Sequence, residues 1–413
     1  MHTSTTSTAV LEPWTAEQLV QATQGHWHNA KAPQGAVKRI LTDSRHAESG
    51  DAFLALQGER FDAHDFIAQV AASGCEIAIV SHPVDADICQ LVVADTRLAL
   101  GHLGAYRRAQ HPQLKVIALT GSSGKTTVKE MLGSILSRIA PALITRGNLN
   151  NDLGVPMMLL ELRREHQYAV MELGASHVGE IDYTSNLVQP DVAGILNVGT
   201  AHLGEFGGRE GICRAKSEIY AHVAKTGVSI VPAADDFADA IRSAVQTEQL
   251  LSFGPGGDVY AADIRLQPQS AVFTLHTPAG ARRISLPFAG GHNVQNAAAA
   301  AAFALAIGIG LDDIAAGLEN AAQVGLIRCP SAQALDRSHL VAEGFKEGIG
   351  ELCGVKGLLR KVCDGLFDFY GVHGRCAPPW LALLLLGALI FLSCIFLVLR
   401  GVKVSTQSDR SPF

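Results

Sequence analysis

The chain has 413 residues, 48% of them hydrophobic and 17% charged, with a formal net charge of −6. That length accommodates two or three domains, each with its own core, and the acidic balance excludes a general binder of nucleic-acid backbones. The charge is unevenly placed: Lys and Arg outnumber Asp and Glu by 10 to 7 from residue 325 onward and are outnumbered 23 to 32 before it. An acidic body is followed by a basic tail.

Residues 1 to 16 lack the charged start and apolar core of a signal peptide, so the body of the protein is expected in the cytosol, where ATP is available. The apolar runs CEIAIV (75–80) and CQLVVA (89–94), with Gly, Pro and Asp punctuation around helix-like segments, predict a small N-terminal α/β domain over 1–110. From Leu114 the pattern becomes strand, loop and helix in repetition: KVIALT (115–120) and then a helix from Lys125 to Ile139, YAVMEL (168–173), VAGILNV (192–198) and VSIVPA (228–233). Such fully apolar strands belong to a parallel sheet covered on both faces, which predicts a central α/β domain over 111–324. Asn293 to Ile307 holds six consecutive alanines, Ala297 to Ala302, and predicts a helix.

The tail differs in kind. LALLLLGALIFLSCIFLVL (381–399) is nineteen residues without a charge, bounded by Trp380 and Arg400. That is enough to cross a hydrocarbon core of about 30 Å at about 1.5 Å per residue, so a transmembrane helix is predicted over 380–400. It lies between an unrecognised segment, 325–379, and a polar terminus, 401–413, with the body on the cytosolic side. Five of the eight cysteines, Cys329, Cys353, Cys363, Cys376 and Cys394, lie in the tail at spacings that match no common zinc pattern, and are read as reduced thiols.

The stretch TGSSGKTT (120–127) between a strand and a helix is a phosphate-gripping loop, shorter than the Walker A pattern because Leu119 stands where that pattern needs a glycine. Gly121 and Gly124 let backbone N–H groups turn toward an anion, with Ser122, Ser123 and Thr127 completing the loop. Lys125 can reach the outer phosphates, and Thr126 can offer its hydroxyl to Mg²⁺ at the helix N-terminus.

This loop resembles that of the Mur ligases and the folylpolyglutamate synthetases. TRGNLNNDLGVP (145–156), VMELGASHVGEI (170–181), NVGTAHLGEFGG (197–208), RAKSEI (214–219) and GGHNVQNAAAAAAFALAIG (290–308) follow in order. Together with LTDSRHAESGDAFLALQGERFDAHDFI (41–67), they resemble the branch of the Mur ligases that works on UDP-N-acetylmuramoyl-tripeptide and D-alanyl-D-alanine in peptidoglycan synthesis. The likeness runs from about Trp14 to Val324. GNLNN and the UDP-sugar-like N-terminus speak against a glutamate-adding folate ligase. The resemblance implies an ATP-dependent carbon–nitrogen ligase that converts a carboxylate to an acyl phosphate for attack by an amine.

In that chemistry charge concentrates on the transferred phosphoryl group, and cations must neutralise it. Lys125 fits a γ-phosphate clamp, and Thr126 and Glu172 fit Mg²⁺ ligands, Glu172 directly or through water. The resemblance adds His202 as a holder of a second Mg²⁺ and Lys216 as a lysine carbamylated by CO₂ that serves the metal site. It also implies adenine-nucleotide contacts from Asn293 and Asn296, contacts to the muramyl substrate and phosphates from Asn150 and Asn151, and uridine-diphosphate contacts from Thr42, Asp43, Ser44 and Arg45. Read without it, Asn293 and Asn296 are helix caps, Asn150 and Asn151 a turn, and 42–45 a surface turn.

After Val324 the family's pattern stops, and the third domain that closes over ATP and receives D-alanyl-D-alanine is not recognised. Three accounts fit: a disrupted ligase gene, a membrane-anchored nucleotide-binding protein without ligase activity, or a ligase completed by another chain. The chain as written is expected to bind nucleotide yet fail to join the dipeptide.

Overall fold

A computed structural model describes residues 12–58, 61–200 and 203–321, which belong to one compact unit spanning residues 1–326. His202, the segment 325–379, the expected membrane span at 381–399, the polar terminus and the five tail cysteines lie outside the described residues. Among the described residues no helix is long and apolar enough to cross a membrane.

Strands β1 (His26–Trp27), β2 (Ile40–Leu41), β3 (Ala52–Leu54), β4 (Ile77–Val80) and β5 (Cys89–Val92) form a sheet in the order β1-β5-β4-β3-β2. It is parallel except for β1, which runs against β5. Side chains alternate across it as a pleat requires. Ala52, Leu54, Ile77 and Ile79 face a core with Trp14, Leu19 and Leu100, whereas Phe53, Ala78 and Val80 face Ile67 and Val70. The covering helices are α1 (Ala16–Thr23), α2 (Ile67–Ala72) and α3 (Thr96–Ala109). The sequence starts two of them plainly: Thr15 and Gln18 form a reciprocal capping box on α1, and the Asp95 carboxylate accepts from the first N–H groups of α3.

The second sheet has six parallel strands, β6 (Lys115–Thr120), β7 (Ala142–Ile144), β8 (Tyr168–Glu172), β9 (Val192–Ile195), β10 (Val228–Pro232) and β11 (Gln249–Phe253), in the order β11-β10-β9-β6-β8-β7. On one face Ile117 and Leu119 of β6 pack against α4 (Lys125–Leu136) and the alanine-rich α10 (Gly291–Ala306). On the other, Val116 and Ala118 face α5 (Gly154–Leu159), α6 (Glu180–Val188) and α8 (Arg209–Ser217). The short α7 (Leu203–Phe206), α9 (Ala238–Ala244) and α11 (Leu311–Glu319) complete the α-helices among the described residues. The two sheets are joined through α3, whose Gly104 lies against α5. A β-carbon there would sit 2.9 Å from Pro156 Cα, so no larger residue fits without moving the helices.

Two expectations are corrected. The helix after the phosphate loop ends at Leu136 rather than Ile139: the chain unwinds through tight turns ahead of Pro141, which cannot donate to a continuing helix. The sequence also left 260–286 unassigned, and it forms an antiparallel sheet, β12 (Tyr260–Leu266), β13 (Ala271–Thr277) and β14 (Gly280–Leu286). The period-two signal runs the length of β13, where Ala271, Phe273 and Leu275 point inward, but in β14 only the end, Ile284 and Leu286, shows it. β12 is mostly exposed and carries no such pattern.

Candidate active site

The strand order places β6 between β8 and β9, so the loops leaving their carboxyl ends converge, as expected where open α/β sheets bind ligands. The turn from Thr120 to Lys125 is the expected phosphate loop. Gly124 takes φ +81° at its end, a left-handed conformation that glycine adopts without strain. The loop is tied to the segment after β9. Ser122 N–H donates to the Asn197 carbonyl at 3.1 Å, and Ser123 N–H to Asn197 Oδ1 at 3.0 Å. Asn197 Nδ2 donates back to the Ser123 carbonyl at 3.0 Å, and Gly199 N–H reaches Ser122 Oγ at 2.9 Å. The first N–H groups of α4 remain without intrahelical partners, as at any helix start.

Lys125 folds back so that Nζ donates to the Gly121 carbonyl at 2.8 Å. Burial lowers its pKa, partly offset by the Glu172 carboxylate. Glu172, at the end of β8 and only 2% exposed, is the anionic centre of the site. Its N–H donates to Thr145 Oγ1 at 3.0 Å, and its Oε1 accepts from Asn150 Nδ2 at 2.8 Å. Its Oε2 lies 3.4 Å from Thr126 Oγ1 and 3.8 Å from Lys129 Nζ. Lys216 on α8 is 7% exposed, and its pKa is pushed down to about 8 by burial and then by the positive charge of Lys125.

Two cavities open on the loop. The larger, about 890 Å³, touches Ser123, Gly124 and Thr127 and is walled by Phe253, Phe288, Asn293 and Asn296, among others. The smaller, about 190 Å³, brings together Gly121, Ser122, Lys125, Asn150, Asn151 and Lys216. The sequence-derived residues Gly121 to Thr127, Asn150, Asn151, Glu172, Lys216, Asn293 and Asn296 therefore gather around one loop. Several also hold the fold: Asn151 Oδ1 accepts from Gly154 N–H at 2.8 Å at the start of α5, and Asn293 Nδ2 donates to the Ala289 carbonyl at 2.8 Å.

Thr42 to Arg45 do not join this group. Asp43 accepts from Arg45 N–H at 3.0 Å and from its guanidinium at 2.7 Å, and these bonds hold the Asp43 carboxyl far below its ordinary pKa. The pair forms an exposed turn outside both cavities. His202 lies outside the described residues. Sequence reasoning passed over Asn197, Lys129, Phe253 and Phe288. Asn197 opens a motif that was singled out for its histidine, and Lys129 lies four residues beyond Lys125 on the same helix face.

Among the described residues no three or more His, Cys, Asp or Glu side chains are grouped to hold a metal by themselves. One buried carboxylate beside one hydroxyl suits Mg²⁺, which favours oxygen ligands and is commonly bound by one or two carboxylates plus phosphate oxygens and water.

Residues 119–304 match the Mur ligase middle domain, and residues 36–120 match the Mur ligase family catalytic domain. The chain is 44% identical over 309 residues to the UDP-N-acetylmuramoyl-tripeptide–D-alanyl-D-alanine ligase of Escherichia coli, covering 74% of this chain and 68% of that protein. To the Haemophilus influenzae ligase of the same name it is 45% identical over 295 residues, covering 70% and 64%. It thus spans about two thirds of these relatives' length. Among solved structures, MurF from Acinetobacter baumannii matches with 74% identity and TM-score 0.75 over 76% of this chain and 70% of that one. The MurF ligase from Thermotoga maritima in complex with ADP matches with 30% identity and TM-score 0.61 over 67% and 65%.

Proposed function

Since the chain belongs to the Mur ligase family, we propose that it uses ATP to activate the terminal carboxylate of UDP-N-acetylmuramoyl-tripeptide for amide formation with D-alanyl-D-alanine. The observation that carries this reading is the phosphate loop's position between the two cavities, with Lys125 at the lip of the smaller one. The larger has room for a nucleoside, and Phe253 and Phe288 give it apolar walls. The smaller is where a γ-phosphoryl group held over Lys125 would meet an incoming carboxylate. Asn150, Asn151 and Lys216 line that side.

The reaction balances in two steps. A carboxylate oxygen attacks the γ-phosphorus and ADP departs, leaving an acyl phosphate. The dipeptide amine then attacks the acyl carbon, phosphate departs and a proton is released. Lys125 spreads the charge that builds on the phosphoryl oxygens, a role that matters most where water is excluded. Mg²⁺, held by Thr126 and Glu172, would neutralise phosphate charge when bound. Asn150 holds the Glu172 carboxylate in place, and Asn197 fixes the loop's shape. Lys216, buried and readily neutral, suits carbamylation by CO₂, in which the amine nitrogen bonds to carbon and loses a proton.

In this reading residues 1–110 present the UDP-sugar substrate and 111–324 bind MgATP, in the cytosol. The division follows the two separate sheets. The expected failure to join the dipeptide concerns residues beyond 324, outside the described part of the chain, and the test reads that step separately. The protein is incubated with MgATP and UDP-N-acetylmuramoyl-tripeptide, with hydroxylamine to trap acyl phosphate and, in a second arm, with D-alanyl-D-alanine. Tripeptide-dependent ADP and hydroxamate support the proposal, and Lys125→Ala should abolish both. No tripeptide-dependent ADP or hydroxamate overturns it. Hydroxamate without the dipeptide-joined product locates activation in this chain and shows that amine capture fails.

A further inference from the structure

Lys129 is a buried cation with no part in the chemistry described so far. It sits on α4, three residues after Thr126 and four after Lys125, so it shares their helix face. It is 1% exposed. Its Nζ lies 3.8 Å from Glu172 Oε2 and 3.4 Å from Glu130 Oε1. A lysine seldom lies so deep without a function for its charge, because an ammonium taken out of water loses much of its hydration energy and recovers it only from nearby anions.

We infer that Lys129 is a positioning residue for Glu172: it is the internal counter-ion that balances this carboxylate while no metal is bound, and it thereby sets how tightly the site takes a divalent cation. Three side chains contact the Glu172 carboxylate, and the Lys125 charge acts on it from the phosphate loop. Asn150 fixes Oε1, Thr126 approaches Oε2 from the phosphate side, and Lys129 approaches Oε2 from within the helix. A metal arriving between Thr126 and Glu172 must share Oε2 with a fixed positive charge only a few ångströms away. Attraction to the carboxylate is opposed by repulsion from the ammonium, and in a buried site neither is well screened. The lysine therefore keeps the empty site stable at the cost of metal affinity, which suits a site whose metal must arrive and leave with nucleotide in each cycle.

The inference rests on the proposed placement of Mg²⁺ beside Glu172, and the experiment separates the two. ADP binding is measured by calorimetry with Mg²⁺ and with EDTA, and the ratio of the two affinities gives the metal's contribution. For the unaltered protein a ratio above one is expected, and its absence would count against the metal site itself. In Lys129→Met the neutral side chain removes the competing charge, so the ratio should rise about tenfold or more. The melting temperature without metal should fall, and its rise on adding Mg²⁺ and ADP should exceed that of the unaltered protein. Lys129→Gln reads the same quantities should the Met variant fail to fold. Lys129→Arg, which keeps the charge, should restore a ratio near that of the unaltered protein. In a Glu172→Gln background Lys129→Met should leave the ratio unchanged. A merely structural lysine would lower the melting temperature while leaving the metal ratio alone, and that outcome, or an Arg variant that behaves like Met, overturns the inference.

Discussion

Asn296 of α10 holds its Oδ1 2.5 Å from the point where a β-carbon on Gly124 would lie. The phosphate loop is therefore closed from above by a helix that begins more than 160 residues later in the chain. Gly124 also sits at φ +81°, where a side chain costs about 1–2 kcal/mol. Gly124→Ala is expected to weaken ADP binding tenfold or more by calorimetry. Removing the obstruction in Gly124→Ala/Asn296→Ala should recover the steric part and leave the strain. An unchanged affinity in Gly124→Ala would mean that the loop does not hold phosphate in this conformation.

Asn197→Ala removes the side-chain bonds that Ser123 makes to the segment after β9. At about 0.5–1.5 kcal/mol for each ordinary hydrogen bond, the variant should lose roughly 1–3 kcal/mol of stability in urea unfolding. It should lose nucleotide affinity as well, because a loosened loop must be ordered on binding. Loss of stability with full nucleotide affinity would show that Asn197 braces the fold and not the loop's grip.

Lys216 makes a pH-dependent prediction. Its pKa is lowered from 10.5 to about 8 in the folded protein, so between those values the unfolded chain binds the extra proton and stability from this group rises with pH. Below about pH 8 the buried ammonium is charged in the folded state and its burial is opposed in full. Relative to Lys216→Met, the unaltered protein should gain stability from about pH 8 upward. The same neutral amine is the form that attacks CO₂. NMR with ¹³C-labelled bicarbonate should show a carbamate signal that grows with pH over this range and vanishes in Lys216→Ala. A folded, Mg²⁺-loaded sample without that signal counts against the carbamate.

Arg45 is expected to separate binding from stability. Its guanidinium is exposed and, among the described residues, pairs with Asp43 of the same turn, and such surface pairs contribute little to folding. Arg45→Ala should melt at an unchanged temperature. If the guanidinium exchanges Asp43 for a diphosphate when substrate arrives, affinity for the UDP-muramyl peptide should fall several-fold. Equal affinity in the two proteins would leave 42–45 as a surface turn.

The residues legible in the sequence are those whose chemistry is local. A glycine at a sharp turn, a lysine and threonine opening a helix, and the mostly apolar runs of β6, β8, β9 and β10 all carry their signal within a few positions, because backbone conformation and pleat alternation act over that range. Glu172 could be picked out because it ends such a run. Asn293 and Asn296 were legible only through likeness to a family, since two asparagines near a helix start read equally well as caps.

By itself the sequence determined that a phosphate loop joins an apolar strand to a helix, and that its neighbours are parallel strands covered on both faces. What that loop faces was decided by the tertiary structure. Pairing β6 with both β8 and β9 sets Glu172 beside Thr126 and Lys129 on one side and Asn197 beside Ser123 on the other. Packing α10 over the sheet brings Asn296 to Gly124. These partners lie from about 40 to more than 170 positions apart, and no periodicity or spacing in the chain encodes them. Their meeting depends on which strands lie side by side, and that is settled by burying the apolar faces of the whole sheet at once.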